Sequence, residues 1–104
     1  MVIPEAVKKC RTALQNYYGS QFEGLVLYGS VARGHSGPAS DIDLLVLLDP
    51  PFDYLRELRR IVELLYPVQL DTVQLISAKP APLDEFEGGS IQLYRNAKRE
   101  GILL

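Results

Sequence analysis

Asp41 and Asp43 stand two residues apart at the head of an apolar run that continues through Leu44-Leu45-Val46-Leu47-Leu48. In an extended chain alternate side chains share a face. The two carboxylates therefore project together, while Ile42, Leu44 and Val46 project the other way. Like charges beside an apolar strand are costly unless a cation lies between them, and a divalent metal held by hard oxygen ligands meets that need. Upstream, the apolar Leu25-Val26-Leu27-Tyr28 delivers a Gly29-Ser30 pair. Glycine lets a ligand approach the backbone closely. A helical turn beginning after Ser30 would aim free N–H groups at an anion, and the serine hydroxyl adds a donor for a phosphate oxygen. A phosphate cradle would then face a metal-binding carboxylate pair.

Gly29-Ser30, ten intervening residues and Asp41-x-Asp43 resemble the signature of the DNA polymerase β-like nucleotidyltransferase superfamily. The fuller strings Gly29-Ser30-Val31-Ala32-Arg33-Gly34 and Ser40-Asp41-Ile42-Asp43-Leu44 are similar to its minimal nucleotidyltransferase branch. The resemblance implies transfer of a nucleoside monophosphate, most often AMP from ATP, to a hydroxyl, with one or two Mg2+ ions and release of pyrophosphate. It also implies a third acidic residue on a later strand. Asp71 is the only acid within residues 68–76, which read as a strand, and a carboxylate amid apolar strand residues breaks local consistency as functional sites do. On this reading Asp41, Asp43 and Asp71 hold metal, and Asp71 also accepts the nucleophile's proton. Gly29 and Ser30 hold the β- and γ-phosphates; Arg33 either pairs with a phosphate or is an exposed structural arginine.

Minimal relatives resemble antitoxins that neutralise a helical HEPN-domain ribonuclease toxin by adding AMP to one of its tyrosines, so a protein partner is implied. The chain is too short for an additional acceptor-binding domain of the kind larger relatives carry, which leaves the acceptor site to be completed by another polypeptide. Two alternatives stand beside this: a non-catalytic module that neutralises its partner by contact, and a small-molecule nucleotidyltransferase working as an oligomer. The Gly-Ser pair with three aspartates favours the enzyme, because a pure binder has no need of clustered like charges.

Around these residues the chain reads as a small α/β (α+β) fold, a mixed sheet of three to four strands with helices packed against it. Residues 5–17 follow Pro4 as a helix with Val7, Cys10, Leu14 and Tyr17 at helical spacing. Residues 24–28 and 41–48 read as strands, the second apolar on both faces and hence central. Val31–Arg33 reads as a helical turn, and residues 34–38 as a loop holding the only histidine, His35, as a solvated residue. Asp53 is a candidate N-cap for a helix reaching about Leu65, with Leu55, Leu58, Ile61, Val62 and Leu65 on its buried face and Pro67 at its end. The strand at 68–76 comes next, then a Pro-rich, acidic connection over 77–89. A helix capped by Ser90, with Ile91, Tyr94 and Ala97 inward, leads to a short edge strand or docked tail, Ile102-Leu103-Leu104.

At 104 residues one domain spans the chain, 1–104. A formal charge of −2 leaves no footprint for a nucleic-acid backbone, and the basic groups Arg56/Arg59/Arg60 and Arg95/Lys98/Arg99 read as solvated helix faces. The single cysteine, Cys10, excludes an internal disulfide and reads as a small core residue. The longest apolar run is too short to cross a bilayer, and the N-terminus has no signal-peptide pattern, so the cytoplasm is the expected compartment.

Overall fold

The computed structural model describes residues 3–32 and 40–104, with the Ser30 side chain outside the description. Helix α1 (Glu5–Tyr18) leads through a single 3-10 turn (Gly19–Gln21) into strand β1 (Phe22–Tyr28). A short helix α2 (Gly29–Ala32), strand β2 (Ile42–Leu48) and helix α3 (Tyr54–Leu70) follow. The chain then forms β3 (Ile76–Pro82), α4 (Leu83–Gly88), α5 (Gln92–Glu100) and β4 (Ile102–Leu103). The sheet is mixed, in the order β3-β2-β1-β4. β1 runs antiparallel to β2 and to β4, and β3 runs parallel to β2. This is the mixed α/β architecture expected of a polymerase β-like nucleotidyltransferase fold.

The double-sided burial of β2 explains its unbroken apolar run. Ile42, Leu44, Val46 and Leu48 join Leu25 and Leu27 of β1 against Val7, Cys10 and Leu14 of α1 and Ile61 and Leu65 of α3. The alternate residues Leu45 and Leu47 join Val26 on the other face, under Phe86 of α4 and Tyr94 and Ala97 of α5. Each fully buried Leu or Val contributes about 1.5–3 kcal/mol, so two packed faces make this strand the pivot of the core. The Cys10 thiol is pushed up to about 11 by burial, which fits an inert packing residue.

Five expectations need correction. Residues 68–70 are not strand: α3 continues through Pro67 to Leu70, residues 71–75 form a turn, and β3 begins at Ile76. The buried stripe Glu57, Ile61, Leu65, Val68 keeps helical spacing across the proline. A proline inside a helix costs about 3 kcal/mol; burying Val68 returns about 1.5–3 kcal/mol. The side chain of Gln69 braces the turn, accepting from the Ile76 N–H at 2.8 Å and donating to the Gln74 carbonyl at 2.8 Å. Second, that stripe is turned relative to the expected one, so Leu55 and Val62 lie outside it, 64% and 60% exposed. Third, the 77–89 connection holds most of β3 and all of α4. Ile42 N–H donates to the Leu75 carbonyl, so the β2–β3 register puts the backbone groups of odd β3 residues toward β2 and those of even residues outward. Pro80 and Pro82 thus lose no ladder bond, as prolines on an edge strand should not. Fourth, α5 begins after Ile91 with no side-chain cap from Ser90, and Ile91 is exposed while Tyr94 and Ala97 are buried. Fifth, in α1, Tyr18 rather than Tyr17 reaches the core.

Tyr18 explains why the α3 stripe includes a glutamate. Its hydroxyl donates to Glu57 Oε1 at 2.9 Å in a buried contact between α1 and α3. Burial first, then the hydrogen bond to Glu57, raise the phenol well above its usual range. Glu57 is 8% exposed and also meets Arg56 Nε at 3.4 Å. Tyr18→Phe removes a donor from a buried carboxylate, at a cost of about 1–3 kcal/mol. Urea unfolding followed by circular dichroism should show a lower midpoint at unchanged slope; an unchanged midpoint would mean that water replaces the donor freely.

Candidate active site

The end of β1 and the start of β2 lie side by side, with Tyr28 paired to Asp43 across the antiparallel ladder. Gly29, the next residue, turns the chain with φ of +79°. A Cβ built there would collide with Asp43 Oδ2 and lie 3.2 Å from Asp43 Cγ. The glycine is therefore required twice, for a left-handed backbone that L side chains avoid and for the space the carboxylate occupies. α2 starts at this point, so the backbone of Gly29 and Ser30 begins a helical turn directly beside an acid.

Ile42 is fully buried toward α1 and α3, so alternation sends Asp43 to the α5 face together with Leu45 and Leu47. Asp43 is half-buried, and Asp41, just before the strand, is exposed. The segment is held to the turn before β3: Ile42 N–H donates to the Leu75 carbonyl at 2.8 Å, and Gln74 Nε2 donates to the Ser40 carbonyl at 3.0 Å. The Tyr28 phenol is pushed up to about 12, by burial first and then by the Asp43 charge and by Tyr54, so it stays neutral beside the acid. A concavity of about 230 Å3 opens at Gly29, lined by Tyr28, Leu93, Asn96, Ala97 and Glu100.

Of the predicted site residues, Gly29 and Asp43 are brought into contact, and Asp41 is exposed immediately before β2. Arg33 and His35 lie outside the described residues. Asp71 caps the C-terminal end of α3 and lines a different hollow, with Pro4, Glu5, Lys9 and Thr72. The expected β3 position beside Asp43 is taken by Ser77, and Lys79 follows on the same face beside Leu45. Among the described residues no three acids come together as a metal-binding group. Ser77 and Lys79 escape the sequence reading because a strand over 68–76 ends before them; the alternation of Ile76, Ala78 and Pro80 with Ser77 and Lys79 is the signal that finds them. Glu100, at the end of α5, reaches the concavity beside Gly29 only through the fold.

Residues 7–101 match the Nucleotidyltransferase domain family. The chain belongs to that family. Its resemblance to the minimal branch agrees with a relative in Methanocaldococcus jannaschii, named "Putative protein adenylyltransferase", which is 35% identical over 69 residues, covering 66% of this chain and 69% of the relative. The domain is a nucleotidyltransferase, and its family uses a nucleoside triphosphate substrate and a divalent metal. The donor set present fits such an ion: Mg2+-type sites commonly take one or two carboxylates and complete their shell with water and substrate phosphates. Asp41 and Asp43 are hard-oxygen donors two residues apart, and Asp43 lies against a backbone from which Cβ is missing. No helix among the described residues is long and apolar enough to cross a membrane.

Gly29→Ala tests the contact on which this site depends. The left-handed backbone costs an L residue about 1–2 kcal/mol, and the new methyl must displace the Asp43 carboxylate. Nucleotide transfer, followed as pyrophosphate release, should fall by about a hundredfold, since displacement of a positioned group by about 1 Å has that effect. Full activity in this variant would show that the Asp43 carboxylate is free to move without consequence.

Proposed function

We propose that this domain transfers AMP from ATP to a hydroxyl, preferably a tyrosine, of a partner protein. The observation that carries the reading is the Asp43 carboxylate packed against Gly29 at the start of α2, which puts acid and phosphate-facing backbone at one point. The name of the archaeal relative supports a protein as acceptor. The partner class we infer is a helical HEPN-type ribonuclease, with adenylylation as the step that neutralises it, so the domain acts as an antitoxin.

In the proposed reaction the acceptor oxygen forms a bond to the α-phosphorus of ATP, the bond from that phosphorus to the bridging α–β oxygen breaks, and pyrophosphate leaves. Gly29 and Ser30 hold the β- and γ-phosphates with the first backbone N–H groups of α2. Asp41 and Asp43 hold Mg2+, which neutralises charge on the phosphates when bound. The exposed Asp41 carboxylate passes the acceptor's proton to water. The half-buried Asp43, fixed by Gly29 and by its ladder pairing with Tyr28, sets the position of the phosphates relative to the sheet. Asp71 has no part in this scheme, because it caps the C-terminal end of α3 and lines a different hollow, with Pro4, Glu5 and Lys9.

Incubation with ATP labelled at the α-phosphate, Mg2+ and a HEPN-type ribonuclease should place label on the ribonuclease and abolish its activity. Asp43→Asn should cut labelling by about a hundredfold or more, the usual loss when a group that stabilises transition-state charge is removed. Inhibition of the ribonuclease without label would identify a contact-only binder instead. Independently, Mg2+ with a non-hydrolysable ATP analogue at a hundredfold excess over its dissociation constant should stabilise the fold by about 2.7 kcal/mol. A thermal melt that does not move with both present would contradict the nucleotide site.

A further inference from the structure

Beyond its buried stripe, α3 carries a second apolar stripe that no other part of the described structure covers. Leu55, Val62, Tyr66 and Leu70 are 64%, 60%, 59% and 67% exposed. At 100° per residue all four fall within about 80° of arc, and Arg59 lies in the same band. The stripe borders a groove of about 240 Å3 between α3 and β3, whose floor includes Leu65, Ile76 and Ala78. Surface this apolar along one helix marks an interaction face rather than scattered exposed residues.

The order of residues along the stripe says what covers it. A two-fold interface is self-complementary, so each residue must meet its counterpart when the helix is reversed. Reversing α3 about a point between Val62 and Glu63 puts Leu55 against Leu70 and Arg59 against Tyr66, in one register. Val62 then lies at the axis against itself. Both pairings are chemically sound: leucine on leucine, and a guanidinium over a phenol ring. Arg59 makes no ion pair among the described residues, whereas its neighbour Arg60 is engaged by Glu63 at 3.5 Å and stands over the Tyr17 ring at 5.3 Å. The cation in the stripe is thus available, and the acid next to the axis is already neutralised within its own helix.

We propose that this chain self-associates through antiparallel pairing of α3 with α3 of a second copy, with Val62 at the two-fold axis and Arg59 over Tyr66 of the other copy. One helix pair makes a small interface, so the dimer should be weak and concentration-dependent. The proposal is independent of the transferase reading, since the stripe and the Gly29–Asp43 site share no residue.

Sedimentation velocity over a concentration series should show a monomer–dimer equilibrium. Arg59→Glu should weaken it by at least about tenfold, the change that corresponds to roughly 1.4 kcal/mol. Single-cysteine reporters test the register, because the native Cys10 is buried and silent. In the proposed pairing the two copies of residue 62 are offset by about 1.5 Å along the axis, and the two copies of residue 55 by about 22 Å. Mild oxidation should therefore link Val62→Cys to itself as a reducible dimer and leave Leu55→Cys monomeric. Both positions are exposed, and circular dichroism will confirm that each variant is folded. A monomer at all concentrations overturns the proposal and leaves the stripe to a helix of another protein. A dimer in which Val62→Cys does not link, or links no faster than Leu55→Cys, overturns it as well.

Discussion

Everything chemical in this domain depends on the close approach of Gly29 to the Asp43 carboxylate. Two strands of opposite direction end and begin at one level of the sheet, and the turn between them leaves no room for a side chain. Steric demand alone makes that position a glycine. The result is an acid held against the start of a helical turn, an arrangement that would repel itself if the turn presented carbonyls instead of N–H groups.

The sheet supplies the rigidity that the contact needs. β2 is clamped between two apolar layers, with α1 and α3 on one side and α4 and α5 on the other. A one-residue slip of β2 would turn the Asp43 carboxylate into the apolar layer under α1 and α3, so register and carboxylate position are the same constraint. The edges are managed differently. β4 is two residues long, while β3 turns two prolines outward and has its first outward N–H taken up by Gln69. Neither edge offers an open ladder for a further strand, so the apolar helix face of α3 is the more natural place for another chain to bind.

Much of this was legible in the sequence, for identifiable reasons. The Gly-Ser and Asp-x-Asp pairs mark the site because few physical arrangements require both, and the run from Leu44 to Leu48 marks a central strand because only burial on both faces permits it. The Asp53 cap was also readable, and the structure has its side chain accepting the Arg56 N–H at 3.1 Å. The region after Pro67 was not readable. Proline reads as a stop, but the core stripe continues for one more turn, where the burial of Val68 and the two hydrogen bonds of Gln69 together offset its cost. That single misplacement carried Asp71 onto a strand it does not occupy, and hid Ser77 and Lys79. The rotation of α3 was hidden for a different reason: a buried glutamate is an unexpected member of a core stripe, and its buried partner Tyr18 lies 39 residues away in sequence.

The central claim is that metal and triphosphate meet at the β1–α2 turn and the head of β2. Amide resonances of the isotopically labelled protein, recorded while Mn2+ is added in the presence of a non-hydrolysable ATP analogue, test this most directly, since paramagnetic broadening falls steeply with distance from the ion. The account predicts that Gly29, Ser30, Asp41 and Asp43 broaden first and that Asp71, which caps the C-terminal end of α3 and lines a different hollow, broadens only at higher Mn2+. Broadening centred on Asp71, with Gly29 and Asp43 unaffected, would contradict it.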